Sequence, residues 1–354
     1  MKKQFKSVFA IIIASLAMLA MILDAKTALS GASEGLELCI KVVIPSLFPF
    51  MILSMVLTTL LSKLSFSNQY LSSRFLHLSP QGIKLFVLGL LGGYPVGAQC
   101  IAQAYQSRMI RRSEAERMLA FCNNAGPAFI FGIGLRLLDQ VWMCWIVWLI
   151  HILGSCITGI LTPPMDIQDH SIISSGIAPP KISIIQRGIE AISSVCGWII
   201  LFRVILAFFE RWILWLLPKP LDIIISGILE LANGSIDLTN IASPGIRFII
   251  FSAILGFGGL CVMLQTKTVL SGSVLNGYLY FPGKMVHASI SYLLSFLVAT
   301  LIFEENLMNS NWALLISALL ICIGYRISFA KKKNGMDFYF KSLYNEKKSW
   351  RLYP

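Results

Sequence analysis

Charge is what this chain has least of. Only 13% of its 354 residues are Asp, Glu, Lys or Arg, where a soluble domain carries roughly a quarter. With 56% hydrophobic residues and a mean hydropathy of +0.75, a soluble globular fold is excluded. Acid is scarcer than base: 17 Asp and Glu stand against 29 Lys and Arg, a net charge of +12. No base-stacking module or nucleic-acid motif interrupts the apolar runs, so the positive balance implies no nucleic-acid partner. Basic residues instead collect in the cytoplasmic loops of membrane proteins, and the expected partner surface is lipid. Paired cysteines are also lacking. Cys39, Cys100, Cys122, Cys144, Cys156, Cys196, Cys261 and Cys322 are scattered, and none forms a C-x-x-C pair. That excludes a disulfide framework and a zinc motif, and no metal ligand set is expected. Walker loops, H-E-x-x-H and G-x-S-x-G are missing as well, so no catalytic residue, no cofactor and no enzyme activity is expected.

What the chain has is apolar runs near the length that spans a hydrocarbon core. They predict an all-α polytopic membrane protein with about eight crossings, at 8–23, 38–61, 118–138, 141–162, 188–209, 246–264, 286–303 and 312–328. Three further stretches, 85–105, 221–233 and 271–283, are apolar but broken. Lys2, Lys3 and Lys6 before the first run resemble a signal-peptide n-region, yet no A-x-A-type cleavage site follows. Charge orients the spans. With both termini cytoplasmic and 85–105 dipping in and out of one face, the outer segments hold only Lys26, Arg211, Lys219 and Arg247. Lys41, Arg136 and Arg203 lie within spans. The remaining basic residues, Lys84, Arg108, Arg111, Arg112, Arg117 and Lys284 among them, fall inside, as the positive-inside rule requires. A full crossing by 85–105 would put Arg108, Arg111, Arg112 and Arg117 outside. Residues 1–330 thus read as one membrane domain, and 331–354 as a basic tail at the cytoplasmic leaflet.

The element order suggests two repeats. Gly35-Leu36-Glu37 opens the second span and Gly188-Ile189-Glu190 the fifth. Each run is followed by a broken stretch and two more spans. In the charge-derived topology the halves, 35–162 and 188–303, enter from opposite sides. Inverted repeats with a midplane site are a common plan among secondary transporters.

Four motifs carry possible chemistry. Gly92-Gly93-Tyr94-Pro95-Val96-Gly97-Ala98-Gln99 breaks a helix at membrane depth and exposes backbone polar groups, to which Tyr94 and Gln99 add hydrogen bonds. Close helix packing is the plainer account of such small residues. Asn123 and Asn124 stand within a predicted span, before a break at Gly126-Pro127. A helix restarting there presents free N–H groups and a partial positive charge, suited to an anion. Interhelical bonding by the asparagines is the alternative. In Leu229-Glu230-Leu231-Ala232-Asn233-Gly234, Glu230 can take a proton or cation and Asn233 can take solute. Gly256-Phe257-Gly258-Gly259-Leu260-Cys261, with Gln265 beyond, suits packing as well as binding. Glu37 and Lys41, four apart, are set to pair on one helix face. His151 and His287 look isolated and read as packed polar residues.

At three of these motifs the chain resembles a known family. Gly93-Tyr94-Pro95-Val96-Gly97-Ala98, Phe121-Cys122-Asn123-Asn124-Ala125-Gly126-Pro127 and Leu229-Glu230-Leu231-Ala232-Asn233-Gly234 are similar to the sporulation integral membrane proteins of the YlbJ type. Those belong to the nucleoside-recognition or Gate superfamily, related to concentrative nucleoside transporters. The resemblance covers roughly residues 5–330. It implies a transporter-like fold with inverted repeats and helical hairpins. It also implies movement of dipicolinic acid across the outer forespore membrane. The combined expectation is a carrier of a small polar or anionic solute, possible as a homo-oligomer, with Tyr94, Gln99, Asn123, Asn124, Gly126, Glu230, Asn233 and Gln265 as the solute-binding set. A nucleoside-like solute, or a non-transporting module for envelope assembly, are the alternatives.

Overall fold

A computed structural model of the chain describes residues 2–63, 76–164, 183–217, 221–303 and 312–332. The basic tail beyond Lys332 and most of the loop 163–187 lie outside the described residues. No strand occurs among the described residues. Helix α1 (Lys2–Leu23) leads into α2 (Ala25–Leu38), a π-helical turn at Cys39–Val43 and α3 (Ile44–Lys63). Next come α4 (Pro80–Gly92), α5 (Val96–Gln106), α6 (Arg112–Met118), α7 (Pro127–Leu138) and α8 (Val141–Leu161). The chain resumes with α9 (Ile184–Trp212), α10 (Leu221–Leu229), α11 (Leu231–Asp237), α12 (Pro244–Phe257), α13 (Gly259–Leu270), α14 (Tyr280–Ile302) and α15 (Trp312–Lys332).

Local sequence sets where these helices start. Ser79, Ser183 and Ser243 each accept a hydrogen bond from the backbone N–H three residues on, and Pro80 and Pro244 occupy first-turn positions that need no donor. Packing then follows small residues. Gly31 and Gly35 of α2 lie against Ala207 and Ile200 of α9, and Gly256 of α12 lies on the backbone of Ala288 in α14. In lipid, such close backbone approach replaces the hydrophobic drive that holds soluble helices together.

Among the described residues, five helical stretches are long and apolar enough to cross a membrane: Ala25–Leu57, Val141–Leu161, Ile184–Trp212, Pro244–Leu270 and Tyr280–Ile302. Shorter apolar helices cover 11–23, 80–92, 127–138 and 315–326. The molecule is an all-α polytopic membrane protein. Several predicted details change. The second span begins at Ala25, because Asp24 caps a helix that runs on through 38. The expected span 118–138 is no single helix: α6 ends at Met118, the backbone is irregular to Gly126, and α7 has 12 residues. The expected span 246–264 is interrupted at Gly258, whose φ is +84°. The stretch 271–283 is a connection that passes into α14 at Tyr280, not a second broken element.

The two broken stretches at 85–105 and 221–233 are helical hairpins. Helices α4 and α5 pack on each other, as do α10 and α11. With 13, 11, 9 and 7 residues, none of these arms reaches the ~30 Å of a hydrocarbon core at about 1.5 Å per residue. After its first long helix, each half runs in the same order: packed hairpin, interrupted helix, long closing helix.

Candidate functional site

The first hairpin turns at Gly93-Tyr94-Pro95, with Gly93 at φ +74° and a cis Tyr94–Pro95 bond. It lies on the irregular segment of its own half with backbone against backbone. A side chain at Gly89 would run into the Cys122 carbonyl, and one at Gly97 into that carbonyl and the Asn123 Cα. Only glycine permits this approach. Asn123 stitches the contact: its Oδ1 accepts from the Ala98 N–H at 3.2 Å, and its Nδ2 donates to Thr266 Oγ1 at 2.9 Å and Tyr280 Oη at 3.4 Å. Asn124 donates to the Phe121 carbonyl at 2.7 Å and Ser155 Oγ at 3.1 Å.

The second hairpin turns at Glu230. Its buried carboxylate caps α11, accepting from the N–H groups of Ala232 (3.0 Å) and Asn233 (2.7 Å) and from Asn233 Nδ2 (2.8 Å). A side chain at Gly259, in the interruption of α12 and α13, would meet the backbone of Leu231 and Gly227. Each hairpin therefore sits on the broken helix of its own half. The halves are joined where the Tyr94 hydroxyl donates to the Leu255 carbonyl at 3.2 Å, beside Gly258.

A small cavity of about 40 Å³ opens between the two hairpin tips. One wall is Val43, Leu47, Gly93, Tyr94, Gly126 and Phe129; the other is Val195, Ile199, Glu230, Leu231, Ala232, Val262 and Gln265. The walls are mostly apolar, with Tyr94, Glu230 and Gln265 as polar side chains among them. The N-terminus of α7 has no side-chain cap and borders the space through Gly126 and Phe129.

Of the residues expected to bind solute, Tyr94, Gly126, Glu230 and Gln265 line this cavity. Gln265 is buried and donates to Cys261 Sγ at 3.4 Å. Asn233 stands behind Glu230 as its donor. Asn123 and Asn124 are fully buried outside the lining and spend their amides on the scaffold. Gln99 is half-buried on α5, also outside the lining.

Two features escaped the sequence reading. Lys284, expected in an inner loop, is 1% exposed on α14. It donates to Tyr94 Oη and Asn124 Oδ1, both at 3.1 Å, and lies over the Tyr94 ring at 5.0 Å. His151 and His287, read as isolated, stack at 4.5 Å between ring centroids. His151 Nε2 accepts from the Ala125 N–H at 3.1 Å, and His287 Nε2 lies 3.0 Å from the His151 carbonyl. A signal was present: Lys284, His287 and Ser291 recur at helical spacing along α14. They face His151 and Ser155 on α8, which share the same periodicity.

An all-α membrane protein whose two halves each set a hairpin on a broken helix around a shared cavity is the class defined by these observations. No family model and no solved structure matches the chain. It is similar to the sporulation integral membrane protein YlbJ of Bacillus subtilis (strain 168), 29% identical over 288 residues that cover 68% of this chain and 70% of that protein. The similarity supports assignment of the chain to the YlbJ type.

Proposed function

We propose that the protein is a membrane carrier for a small anionic solute, with dipicolinic acid the best specific candidate. The supporting observation is the cavity: both hairpin turns, Tyr94 and Glu230, face one space that also borders the N-terminus of α7. Irregular backbone at membrane depth is tolerated where it is buried in protein or lines a cavity, and broken helices bind solute in many secondary transporters. The α7 terminus favours negative charge. Glu230 is the coupling group in this reading, binding a proton or cation as solute enters. The similarity to a B. subtilis sporulation integral membrane protein supports a role in spore formation. On that basis the proposed site of action is the outer forespore membrane, with both termini cytoplasmic and the halves 35–162 and 188–303 acting as inverted repeats of a nucleoside-recognition or Gate-type carrier. In this reading the chain is no enzyme, and homo-oligomers are compatible with it.

Uptake by lipid vesicles containing the purified protein tests the proposal. Labelled dipicolinate should accumulate above protein-free vesicles, and Glu230→Gln should slow accumulation at least tenfold, about 1.4 kcal/mol. Uptake of uridine in place of dipicolinate would move the solute to the nucleoside class. Failure of both, with folded protein, would sink the carrier reading.

A further inference from the structure

We infer that Lys284 sets the preference of this site for anions, acting through the Tyr94 hydroxyl; the inference rests on the carrier reading and names its selectivity residue. Lys284 is buried on a membrane-spanning helix, where an ionisable group is costly to keep. Its partners are neutral: the Tyr94 hydroxyl and the Asn124 carbonyl oxygen at 3.1 Å, and the faces of Tyr94 and Tyr280 at 5.0 and 5.9 Å. Among the described residues, none of the ion pairs includes it. Whenever this amine is charged, the absence of a carboxylate partner leaves a countercharge to be supplied from elsewhere.

Tyr94 connects that amine to the cavity. Its hydroxyl accepts from Lys284 while keeping its own proton, which goes to the Leu255 carbonyl. Tyr94 also lines the cavity. A hydroxyl polarised by an ammonium group is a stronger donor. Turned from Leu255 to a solute carboxylate, it brings the solute's charge within one residue of Lys284. The opposing charge in the lining, Glu230, already receives three donors. Lys284 is thus a positioning residue and Tyr94 the contact.

Binding of two isosteric probes to the purified full chain tests this: pyridine-2,6-dicarboxylate and its neutral diamide. The native protein should prefer the dicarboxylate by roughly tenfold or more. Lys284→Gln should bring the two affinities within about twofold, leaving the diamide unchanged, and Lys284→Arg should restore the preference. Tyr94→Phe keeps the ring and removes the relay, so it should erase the preference even if Lys284→Gln folds poorly. A preference that persists in folded Lys284→Gln or Tyr94→Phe protein, or that the native protein lacks, overturns the inference. Binding without vesicle uptake overturns the carrier reading alone. Uptake with unchanged selectivity in both variants overturns the role of Lys284 alone.

Discussion

Glu116 and Arg117 are adjacent, charged and buried, and each holds backbone in place. The Glu116 carboxylate accepts from the N–H groups of Asn276 at 2.6 Å and Gly277 at 2.9 Å, tying the start of the first broken helix to the connection before α14. Arg117 donates to the carbonyls of Leu76, His77, Gly159 and Thr162, and its guanidinium lies 5.2 Å from the Phe121 ring centroid. The charge count put Arg117 in a cytoplasmic loop; its carbonyl partners come from segments about 40 residues away on either side of it in the chain, which no local pattern reveals. Removing it leaves those acceptors without a charged donor. Arg117→Met should cost about 3 kcal/mol or more, read as a clear fall in melting temperature of the detergent-purified protein. A melting temperature matching the native protein would mean that these carbonyls find other donors. Asn123 belongs with this pair, since its amide bridges Ala98, Thr266 and Tyr280. The sequence shows an asparagine before a break but not whether it faces a cavity or a neighbouring helix.

At the scale of elements, the two hairpins depend on glycine for reasons of space. A Cβ at Gly97 would lie 2.5 Å from the Cys122 carbonyl oxygen and 3.0 Å from the Asn123 Cα, so Gly97→Leu should push α5 off the broken helix. Gly197 on α9 has open space around it. Gly197→Leu should leave folding and uptake within about twofold of native, because surface substitutions away from such contacts cost little. Gly97→Leu should abolish uptake and broaden the size-exclusion profile; equal behaviour of the two variants would contradict the packing argument. The hairpin at 85–105 was legible because its glycines, its proline and the arginines after it all opposed a full crossing. The interruption of 118–138 was half legible. Gly126-Pro127 announced a restart, but the loss of helix from Leu119 onward depends on the polar seam of Asn124, Ser155 and His151 that takes over its backbone.

For the whole molecule, charge distribution makes a claim about sidedness. Exposed Arg108 follows the first hairpin, and Arg211, 67% exposed and 3.5 Å from Asp24, ends α9. The positive-inside rule puts Arg108 in the cytoplasm and Arg211 outside. In intact cells, a membrane-impermeant maleimide should label Arg211→Cys and spare Arg108→Cys, measured against the unsubstituted chain. Labelling of Arg108→Cys instead would reverse the topology and with it the direction assigned to each hairpin.

Composition and the length of the apolar runs alone determined that this is a helical membrane protein, because a chain with so little charge cannot keep its surface in water. Glycine and proline spacing determined that some runs do not cross, because those residues limit regular helix wherever they fall. Only the tertiary structure decided which polar residues share a space. Tyr94, Gly126, Glu230 and Gln265 meet at one cavity, while Asn123 and Asn124 are spent on the scaffold. Lys284, a loop charge by the positive-inside pattern, is the buried amine behind the cavity wall. The physical reason is sequence distance. Tyr94 and Lys284 stand 190 residues apart, and their contact exists only because two halves close on one another.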